Sequence, residues 1–262
     1  SLIKAEAAAA SIRKAAPQAE LDVMQLDLSD IASVRAFADA FRAKFPHLNV
    51  LINNAGILAY SSKTNADGIE LQFATNHLGH FLLTALLFDM MPDDPTSRVV
   101  SLSSVGHKGA RIDFDDLSNG GNGGRAYGQS KLACLVFGEE LDRRLRAAGS
   151  QIKSIPVHPG GSDSGLFTEM SRVQYLTLKV LGPFIAHSNA SAAKPSLFAA
   201  LDPAAQGGTY YGPQGFQELR GRVGTAKRDP NTKNSALASQ LWEASERLSD
   251  QTFQFKPHAP DG

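Results

Sequence analysis

Apolar residues recur every three or four positions early in the chain, at Ile31, Val34, Phe37, Phe41 and Phe45. This spacing predicts an amphipathic helix. Ser29 or Asp30 would cap its start, and Pro46 would end it. The preceding segment, Leu21–Leu26, has a strand-like pattern that ends at Asp27. A strand followed by a helix is therefore expected in this region.

The same two patterns alternate through the rest of the chain. Short apolar runs predict strands at Val50–Ile52, Arg98–Leu102 and Ile152–Val157. Longer patterns predict helices from about Gly68 to Met91, from about Gly124 to Ala148, and along a C-terminal stripe of Leu237, Leu241, Trp242 and Leu248. Strands that alternate with such helices predict an α/β fold with a doubly wound parallel sheet, as a single domain over residues 1–262.

Polar or tight-turn residues follow the predicted strands at Asp27, Asn53, Ser103–Ser104 and Pro159–Gly160. In doubly wound sheets, ligands bind outside the carboxyl ends of the strands. Turns are polar in general, and this accounts for a polar residue at any one of these positions. It accounts less well for the combination of residue types at all four. The sequence therefore predicts a binding crevice along this edge of the sheet.

Composition narrows the class of protein. The 262 residues hold 26 Lys and Arg against 26 Asp and Glu, and a net charge of zero gives no indication of a nucleic-acid partner. Cys134 is the only cysteine, which excludes a disulfide framework and a thiolate metal site. His77 and His80 have no obvious further ligands nearby, so we expect them to pack and predict no metal site.

Export or membrane insertion is not expected from the sequence. Residues 1–16 form an alanine-rich charged pattern rather than a signal peptide. The apolar stretch Phe81–Phe88 is far shorter than a membrane span. We therefore expect no membrane span and a cytoplasmic, reducing location.

The candidate chemistry is concentrated at Tyr127 and Lys131, which lie four positions apart on a predicted helix and so share one of its faces. An ammonium group beside a phenol favours the phenolate and prepares the tyrosine to exchange a proton. Ser103 and Ser104 follow a predicted strand upstream, where a hydroxyl could hold a substrate oxygen while the proton moves. The pattern predicts an acid–base site.

Several motifs resemble, in their order and spacing, the short-chain dehydrogenase/reductase family: Leu26-Asp27-Leu28, Asn53-Asn54-Ala55-Gly56, Asn76, Ser104, the Tyr127/Lys131 pair and Pro159-Gly160. Together they cover most of the chain. Thr75–Leu83 and Tyr210–Pro213 are similar to the branch that includes retinol dehydrogenases, WW-domain oxidoreductases and protochlorophyllide reductases. The resemblance implies a Rossmann-like fold and an NAD(P)-dependent enzyme.

The resemblance also implies a role for each matching residue. Tyr127 would be the general acid and base, Lys131 would support it and bind the nicotinamide ribose, and Ser104 would hold the substrate oxygen. Asn76 would kink its helix and anchor a water that links Lys131 to solvent. Cofactor contacts would come from Asp27 and Leu28 at the adenine, from Asn53, Asn54, Ala55 and Gly56 along the cleft, from Pro159 and Gly160 at the nicotinamide, and from Ser164 at its carboxamide.

The implied reaction is hydride transfer between a nicotinamide and a small apolar carbonyl or alcohol, with NADP(H) favoured and NAD(H) possible. Residues 166–190, rich in apolar and aromatic side chains, would bind the substrate, although the same composition suits a dimer or core surface equally well. The helices around Asn76 and Tyr127 often build dimers in this family, so a homodimer is a further expectation.

One family motif is missing from the sequence, the glycine-rich turn between the first strand and the first helix. Residues 1–16 resemble the helix after the second strand, so a first strand–helix–strand unit of about 35 to 45 residues is expected to be absent. Two other functions stay open: a catalytically inactive form of the fold that acts as a binding or scaffold protein, and an NAD(P)-dependent epimerase or dehydratase.

Overall fold

Four stretches of the chain are described by the computed structural model, residues 2–59, 63–118, 121–161 and 189–255. Their centre is a five-stranded sheet with the order β1-β2-β3-β4-β5. The first four strands are parallel, and β5 runs antiparallel to β4. The strands are Val50–Asn53 (β1), Arg98–Leu102 (β2), Lys153–Val157 (β3), Tyr211–Pro213 (β4) and Val223–Thr225 (β5).

The helices of the described residues are α1 (Leu2–Ala15), α2 (Ile31–Lys44), α3, α4 (Gly123–Ala147), α5 (Asn189–Ala192), α6 (Lys194–Leu201) and α7 (Ser235–Ser249). α3 is continuous but irregular. It runs from Leu71–Phe73 through a π-helical turn, Ala74–Leu78, to Gly79–Leu87, and it ends in the 3₁₀ turn Phe88–Met90. Among the described residues, no helix combines the length and apolar character needed to cross a membrane.

Alternate side chains of the central strands face opposite layers of helices. Val99 packs with Phe81 and Phe137 on the face where α3 and α4 lie. Val100 packs with Ala199 on the other face, where α6 lies. Because both faces of the sheet are covered, β2 is buried along its whole length. The predicted doubly wound α/β fold is confirmed.

The strand predicted at Leu21–Leu26 is wrong. These residues lie outside every strand of the described sheet, in which β1 is an edge strand paired with β2. An extended segment becomes a strand only when another backbone pairs with it, and a side-chain pattern does not provide that partner. Leu26 instead packs with Leu28, Val34 and Leu82 in a cluster between α2 and α3.

Capping side chains determine where two helices begin. Asp30 accepts a main-chain N–H of the first turn of α2 at 2.9 Å, so of the two caps that the sequence allowed, Ser29 and Asp30, the cap is Asp30. Asn122 accepts the N–H of Arg125 at 2.9 Å at the start of α4. Because this cap satisfies one of the free N–H groups, the helix begins at Gly123, one residue before the predicted start at about Gly124.

Pro156 lies inside β3, opposite Ser101 of β2. The carbonyl of Val157 accepts the N–H of Ser103, on the β2 side, and the N–H of His158 donates to the carbonyl of Tyr211 in β4. Main-chain groups of successive residues point to alternate sides of a strand, so an N–H at position 156 would point toward β4. β4 begins at Tyr211, opposite Val157, and therefore has not started beside the proline. Pro156 thus removes no hydrogen bond from the sheet.

α7 covers the outer face formed by α3 and α4. Leu241 belongs to the same buried cluster as Leu78 and Leu132. The Arg144 guanidinium lies 4.2 Å from the centroid of the Trp242 ring. The packed C-terminal helix expected from its apolar stripe is confirmed. The face through which a homodimer was expected is covered by the chain's own α7, and the homodimer stays a prediction.

Candidate active site

Tyr127 and Lys131 lie on one face of α4, at the carboxyl end of the sheet. The Lys131 ammonium is 5.9 Å from the centroid of the Tyr127 ring. Lys131 is 4% exposed, and its Nζ donates to the carbonyl of Leu102, the last residue of β2, at 3.0 Å. The helix thereby holds a buried positive charge beside a half-buried phenol.

Ser104 and Tyr127 meet at Gly106. A side-chain carbon on Gly106 would lie 3.2 Å from Cε1 of Tyr127 and 3.6 Å from Oγ of Ser104. Ser104 follows β2, and its Oγ accepts the N–H of Gly106 at 3.2 Å, which caps the 3₁₀ turn Val105–His107. Any larger residue at position 106 would come between the hydroxyl and the phenol. The fold therefore brings together two side chains that lie 23 positions apart in the sequence.

Asn76 lies in the π-helical turn of α3, a kind of distortion that is frequent at functional sites. Its Oδ1 accepts the N–H of Ile57 at 2.7 Å, and its Nδ2 donates to the carbonyl of Ile57 at 3.0 Å. Nδ2 also donates to Oγ of Ser130 at 2.9 Å, and Ser130 donates to the carbonyl of Tyr127 at 2.8 Å. Asn76 therefore joins the loop after β1 to the helix that carries Tyr127.

The main-chain oxygen of Asn76 also has side-chain partners. It accepts from Sγ of Cys134 at 3.0 Å, and it lies 2.9 Å from Nδ1 of His80. Because a carbonyl oxygen can only accept, Nδ1 of His80 is the donor. Burial lowers the pKa of His80 to about 4, which keeps its ring neutral. The water that Asn76 was expected to anchor, linking Lys131 to solvent, stays a prediction.

Gly56 gives the loop after β1 its close approach to the ammonium. A side-chain carbon at position 56 would be 3.1 Å from Nζ of Lys131 and 3.3 Å from Oδ1 of Asn76. Both distances are tighter than ordinary contacts between side chains, so a larger residue would displace the ammonium or the amide. The glycine thus keeps room for Lys131 beside this loop.

The residues just before Gly56 divide between the interior and solvent. Asn53 is buried, and its Nδ2 donates to Oγ1 of Thr84 in α3 at 3.0 Å. Asn54 and Ala55 are exposed beside it. The side chain of Asn53 thus holds the end of β1 to α3. The cofactor contact expected of Asn53 stays a prediction, and it would be made by the main chain of this residue.

Asp27 and Leu28 follow the extended segment before α2. The Asp27 carboxylate is exposed and accepts the hydroxyl of Ser29 at 2.7 Å and the N–H of Ser29 at 3.0 Å. These hydrogen bonds lower the pKa of Asp27, so the carboxylate is ionised at neutral pH. Leu28 is buried against α3. The pair offers one exposed charged group, and its adenine contact stays a prediction.

Pro159 and Gly160 form the turn after β3. The N–H of Gly160 donates to Nδ1 of His158 at 3.3 Å, and its φ of +80° lies in the left-handed region, which favours glycine. Gly161 donates to the carbonyl of Leu219 at 3.0 Å. The turn is therefore fixed at the same edge of the sheet as Ser104.

Two expectations fall on residues that the structure does not describe. Ser164, the expected carboxamide contact, lies in the gap between residues 161 and 189. The expected substrate-binding segment, 166–190, lies almost wholly in the same gap. Both stay predictions.

Ser130 and Ile57 are site contacts that the sequence did not predict. Ser130 precedes Lys131 within the tyrosine–lysine motif, and its position on the same helix was an available signal. Ile57 contributes only main-chain groups to Asn76, so no side-chain pattern could have indicated it. His107, whose Nδ1 lies 2.6 Å from the carbonyl of Ser104, was also missed.

The polar groups at this end of the sheet fit the nicotinamide half of a dinucleotide. The Lys131 ammonium carries three N–H donors, and its hydrogen bonds within the described residues use one of them, to Leu102. A buried ammonium with unused donors suits ribose hydroxyls. The exposed Asn54 and Ala55 continue the same edge beyond Gly56.

Comparison with known proteins decides the family. The family described as short chain dehydrogenase matches residues 2–174. The chain belongs to this family. Retinol dehydrogenase 12 from Mus musculus is 38% identical over 251 residues, 93% of this chain and 74% of the relative. The chloroplastic short-chain dehydrogenase TIC 32 B from Brassica napus is 36% identical over 251 residues, 89% of this chain and 74% of the relative.

A solved structure is similar to this short-chain dehydrogenase in its three-dimensional fold. A protein from Mycobacterium paratuberculosis, known from its crystal structure, is 36% identical with a TM-score of 0.78, over 97% of this chain and 83% of that one. The resemblance to the retinol-dehydrogenase-like branch is confirmed by its relatives. As a short-chain dehydrogenase, the protein is an oxidoreductase.

Proposed function

We propose that this short-chain dehydrogenase interconverts a carbonyl and an alcohol with a nicotinamide dinucleotide, using Tyr127 as the general acid and base. The observation that carries the proposal is the meeting of the Tyr127 phenol, the buried Lys131 ammonium and the Ser104 hydroxyl at one end of the sheet. When bound, the nicotinamide supplies or accepts the hydride. The protein then needs only to orient the substrate and to move one proton.

Tyr127 and Ser104 would act together on the substrate oxygen. In the reducing direction this oxygen gains negative charge, the Ser104 hydroxyl donates a hydrogen bond to it, and the Tyr127 phenol gives it a proton. In the oxidising direction the Tyr127 phenolate takes the proton of the alcohol. The two side chains flank Gly106, which supports a shared substrate oxygen.

Lys131 would stabilise the phenolate and bind the nicotinamide ribose with the donors that Leu102 leaves unused. Asn76 and Ser130 would keep α4 in register with the loop after β1. We propose NADP(H) as the favoured cofactor, with NAD(H) as the other possibility, because the retinol-dehydrogenase-like branch usually prefers NADP(H). The apolar composition of residues 166–190 supports a small apolar carbonyl or alcohol as substrate.

Tyr127→Phe tests the proposal. Titration of NADPH and then NADH, followed by nicotinamide fluorescence, gives the dissociation constant, and a panel of apolar aldehydes and ketones gives the turnover rate. The substitution removes the proton donor but leaves the ring, so turnover should fall by about 10²- to 10⁴-fold while the cofactor dissociation constant changes by less than about threefold.

Tyr211→Phe is the matched control, because the Tyr211 hydroxyl accepts the N–H of Gln206 at 3.0 Å and lies outside the proposed site. It should keep its turnover. Retained turnover in Tyr127→Phe would contradict the role of Tyr127. A folded wild-type chain that binds neither nucleotide would favour the non-catalytic alternative, and reaction with a sugar nucleotide in place of a simple carbonyl would favour the epimerase or dehydratase.

A further inference from the structure

His107 is buried directly behind the serine of the proposed site. It ends the 3₁₀ turn Val105–His107 that Ser104 caps. Its Nδ1 lies 2.6 Å from the carbonyl oxygen of Ser104, and its Nε2 lies 3.2 Å from the main-chain nitrogen of Asp229. One imidazole ring therefore connects the end of β2 to a loop that is 122 residues away in the sequence.

The two partners determine the tautomer of the ring. The carbonyl of Ser104 can only accept, so Nδ1 carries the hydrogen. The main-chain N–H of Asp229 can only donate, so Nε2 carries none. The opposite tautomer would place a lone pair against the Ser104 oxygen and a hydrogen against the Asp229 N–H, and it would lose both bonds. The pKa of His107 is lowered by burial, which is consistent with this neutral form.

Asp229 gives the far end of this connection a fixed position. Its Oδ1 accepts the N–H of Asn231 at 2.9 Å, and its Oδ2 accepts the N–H of Gly109 at 2.8 Å. Gly109 lies two residues after His107, so the same carboxylate holds the turn that carries the histidine. The imidazole is therefore bonded to a loop that is itself bonded back to the turn.

Tyr210 restrains the imidazole from the side. The two rings are perpendicular, with their centroids 5.4 Å apart. The Tyr210 ring also lies 5.2 Å from the ring of His158, which precedes the turn Pro159–Gly160. The edge-to-face contact with Tyr210 adds a packing restraint to an imidazole that is already bonded at both nitrogens. The imidazole of His107 is therefore held by two hydrogen bonds and one ring contact.

We propose that His107 is a positioning residue, whose Nδ1–H holds the carbonyl of Ser104 and thereby directs the Ser104 hydroxyl toward the substrate oxygen. Oγ of Ser104 accepts the N–H of Gly106, and in the proposed reaction its own proton would be donated to the substrate oxygen. With the carbonyl held by His107 and Oγ held by Gly106, the serine has one orientation. This inference rests on the proposed function, because the orientation of Ser104 affects turnover only if Ser104 contacts the substrate.

A pair of amide substitutions separates positioning from packing. In His107→Asn the amide nitrogen can replace Nδ1 as donor to Ser104, whereas in His107→Gln the longer side chain places its amide near the position of Nε2. We expect kcat to stay within about threefold in His107→Asn and to fall about 10- to 100-fold in His107→Gln, with the KM for NADPH unchanged in both. His47→Gln, at an exposed histidine, is the matched control and should leave kcat unchanged.

Equal values of kcat in the two His107 variants would overturn the proposal, because a purely structural role predicts parallel losses of stability and activity. Melting temperatures of the two variants show whether a loss of kcat merely follows a loss of folded protein. A fall in kcat for His107→Gln at an unchanged melting temperature supports the positioning role. A fall in kcat that is fully explained by a loss of folded protein overturns the proposal.

A second measurement does not depend on turnover. ¹⁵N spectra of the histidine rings distinguish the two tautomers, and the signal missing from His107→Asn identifies His107. We expect the Nδ1–H tautomer at neutral pH, and the Nε2–H tautomer would overturn the inference even in an active enzyme. A chain without turnover that shows the Nδ1–H tautomer would overturn the proposed function while supporting the bond between His107 and Ser104.

Discussion

Gly79 is the residue at which the backbone around Leu28 meets α3. A side-chain carbon at position 79 would lie 2.1 Å from the carbonyl oxygen of Leu28, far inside van der Waals contact. In a helix interior, alanine is favoured over glycine by about 1 kcal/mol. A clash with backbone cannot be relieved by a change of rotamer, and overpacking of this kind costs about 1–3 kcal/mol or more. The steric cost therefore outweighs the helix propensity.

We expect Gly79→Ala to lower the free energy of unfolding by about 2 kcal/mol or more. Gly124→Ala is the matched control, because the nearest atom to its new carbon, Oδ1 of Asn122, would be at an ordinary 3.6 Å. This second substitution should leave stability unchanged or raise it by up to about 1 kcal/mol. Urea unfolding followed by circular dichroism measures both, and similar results for the two variants would contradict the steric explanation.

The sequence indicated Tyr127, Lys131 and Ser104 because their functional groups are in their side chains and because helical spacing is local. The supporting contacts were beyond prediction for a physical reason. Asn76 bonds main-chain groups of Ile57, and His107 bonds a main-chain group more than a hundred residues away. Main-chain groups are the same in every residue, so a sequence pattern does not indicate their partners.

At the scale of elements, α3 combines an irregular backbone with two buried histidines. Burial lowers the pKa of His77 to about 3 and that of His80 to about 4. Nε2 of His77 lies 2.8 Å from Oγ of Ser245 in α7, and that hydroxyl donates to the carbonyl of Leu241. Nε2 of His77 is therefore the donor. The expectation that the two histidines pack agrees with these contacts, and three metal-ligating side chains cluster nowhere in the described residues.

These histidines, with His158, make stability depend on pH. Burial lowers the pKa of His158 to about 4 as well. Below pH 6.5 the unfolded chain takes up a proton on each ring, while the folded chain does so only at about pH 4 for His80 and His158 and at about pH 3 for His77. The free energy of unfolding should therefore fall as the pH is lowered from 6.5 to about 4, by up to roughly 1.4 kcal/mol per pH unit for each histidine.

Urea unfolding at a series of pH values measures this dependence. His77→Gln provides the comparison, since its amide can still donate to Ser245 but does not titrate. Its stability should fall less steeply with decreasing pH than that of the wild type, with the two slopes differing by up to roughly 1.4 kcal/mol per pH unit, the contribution of one histidine. An unchanged slope would mean that His77 is not neutral in the folded chain at these pH values.

The strands were predictable to different degrees. β2 has the predicted bounds, because a strand buried on both faces is a short apolar run. Leu21–Leu26 has a similar apolar pattern, but none of the described strands pairs with it. β4 does pair with its neighbours, but its three residues are too few to give a strand pattern in the sequence. The resemblance implied only a kink near Asn76, and the structure shows a π-helical turn there, where Asn76 bonds Ile57 and Ser130.

At the scale of the whole molecule, α7 is the element that closes the apolar face of α3 and α4. Leu241 is buried in the middle of this contact. We expect Leu241→Asp to lower the free energy of unfolding by about 3–5 kcal/mol, because it removes a buried leucine and buries an unpaired charge. Displacement of α7 would expose the face of α3 and α4, so the variant should also self-associate as its concentration rises.

Light scattering over a range of concentrations measures self-association, and urea unfolding measures stability. Gln240→Asp introduces the same side chain at the exposed neighbouring position and should behave as the wild type does. Equal masses and stabilities in the two variants would mean that α7 does not protect this face. A dimer of the wild type that survives Leu241→Asp would have to use another surface.

The position of Trp242 determines what ultraviolet light can reveal about this protein. It is the only tryptophan of the chain, and its ring packs against Phe81 and Phe253 with Arg144 above it, at the amino end of the sheet. The wavelength of its emission therefore reports the attachment of α7 and is insensitive to contacts of Tyr127 at the opposite end of the sheet. A shift in the wavelength of this emission on adding a nucleotide would reveal a movement carried the length of α4, whereas an unchanged wavelength would not argue against binding.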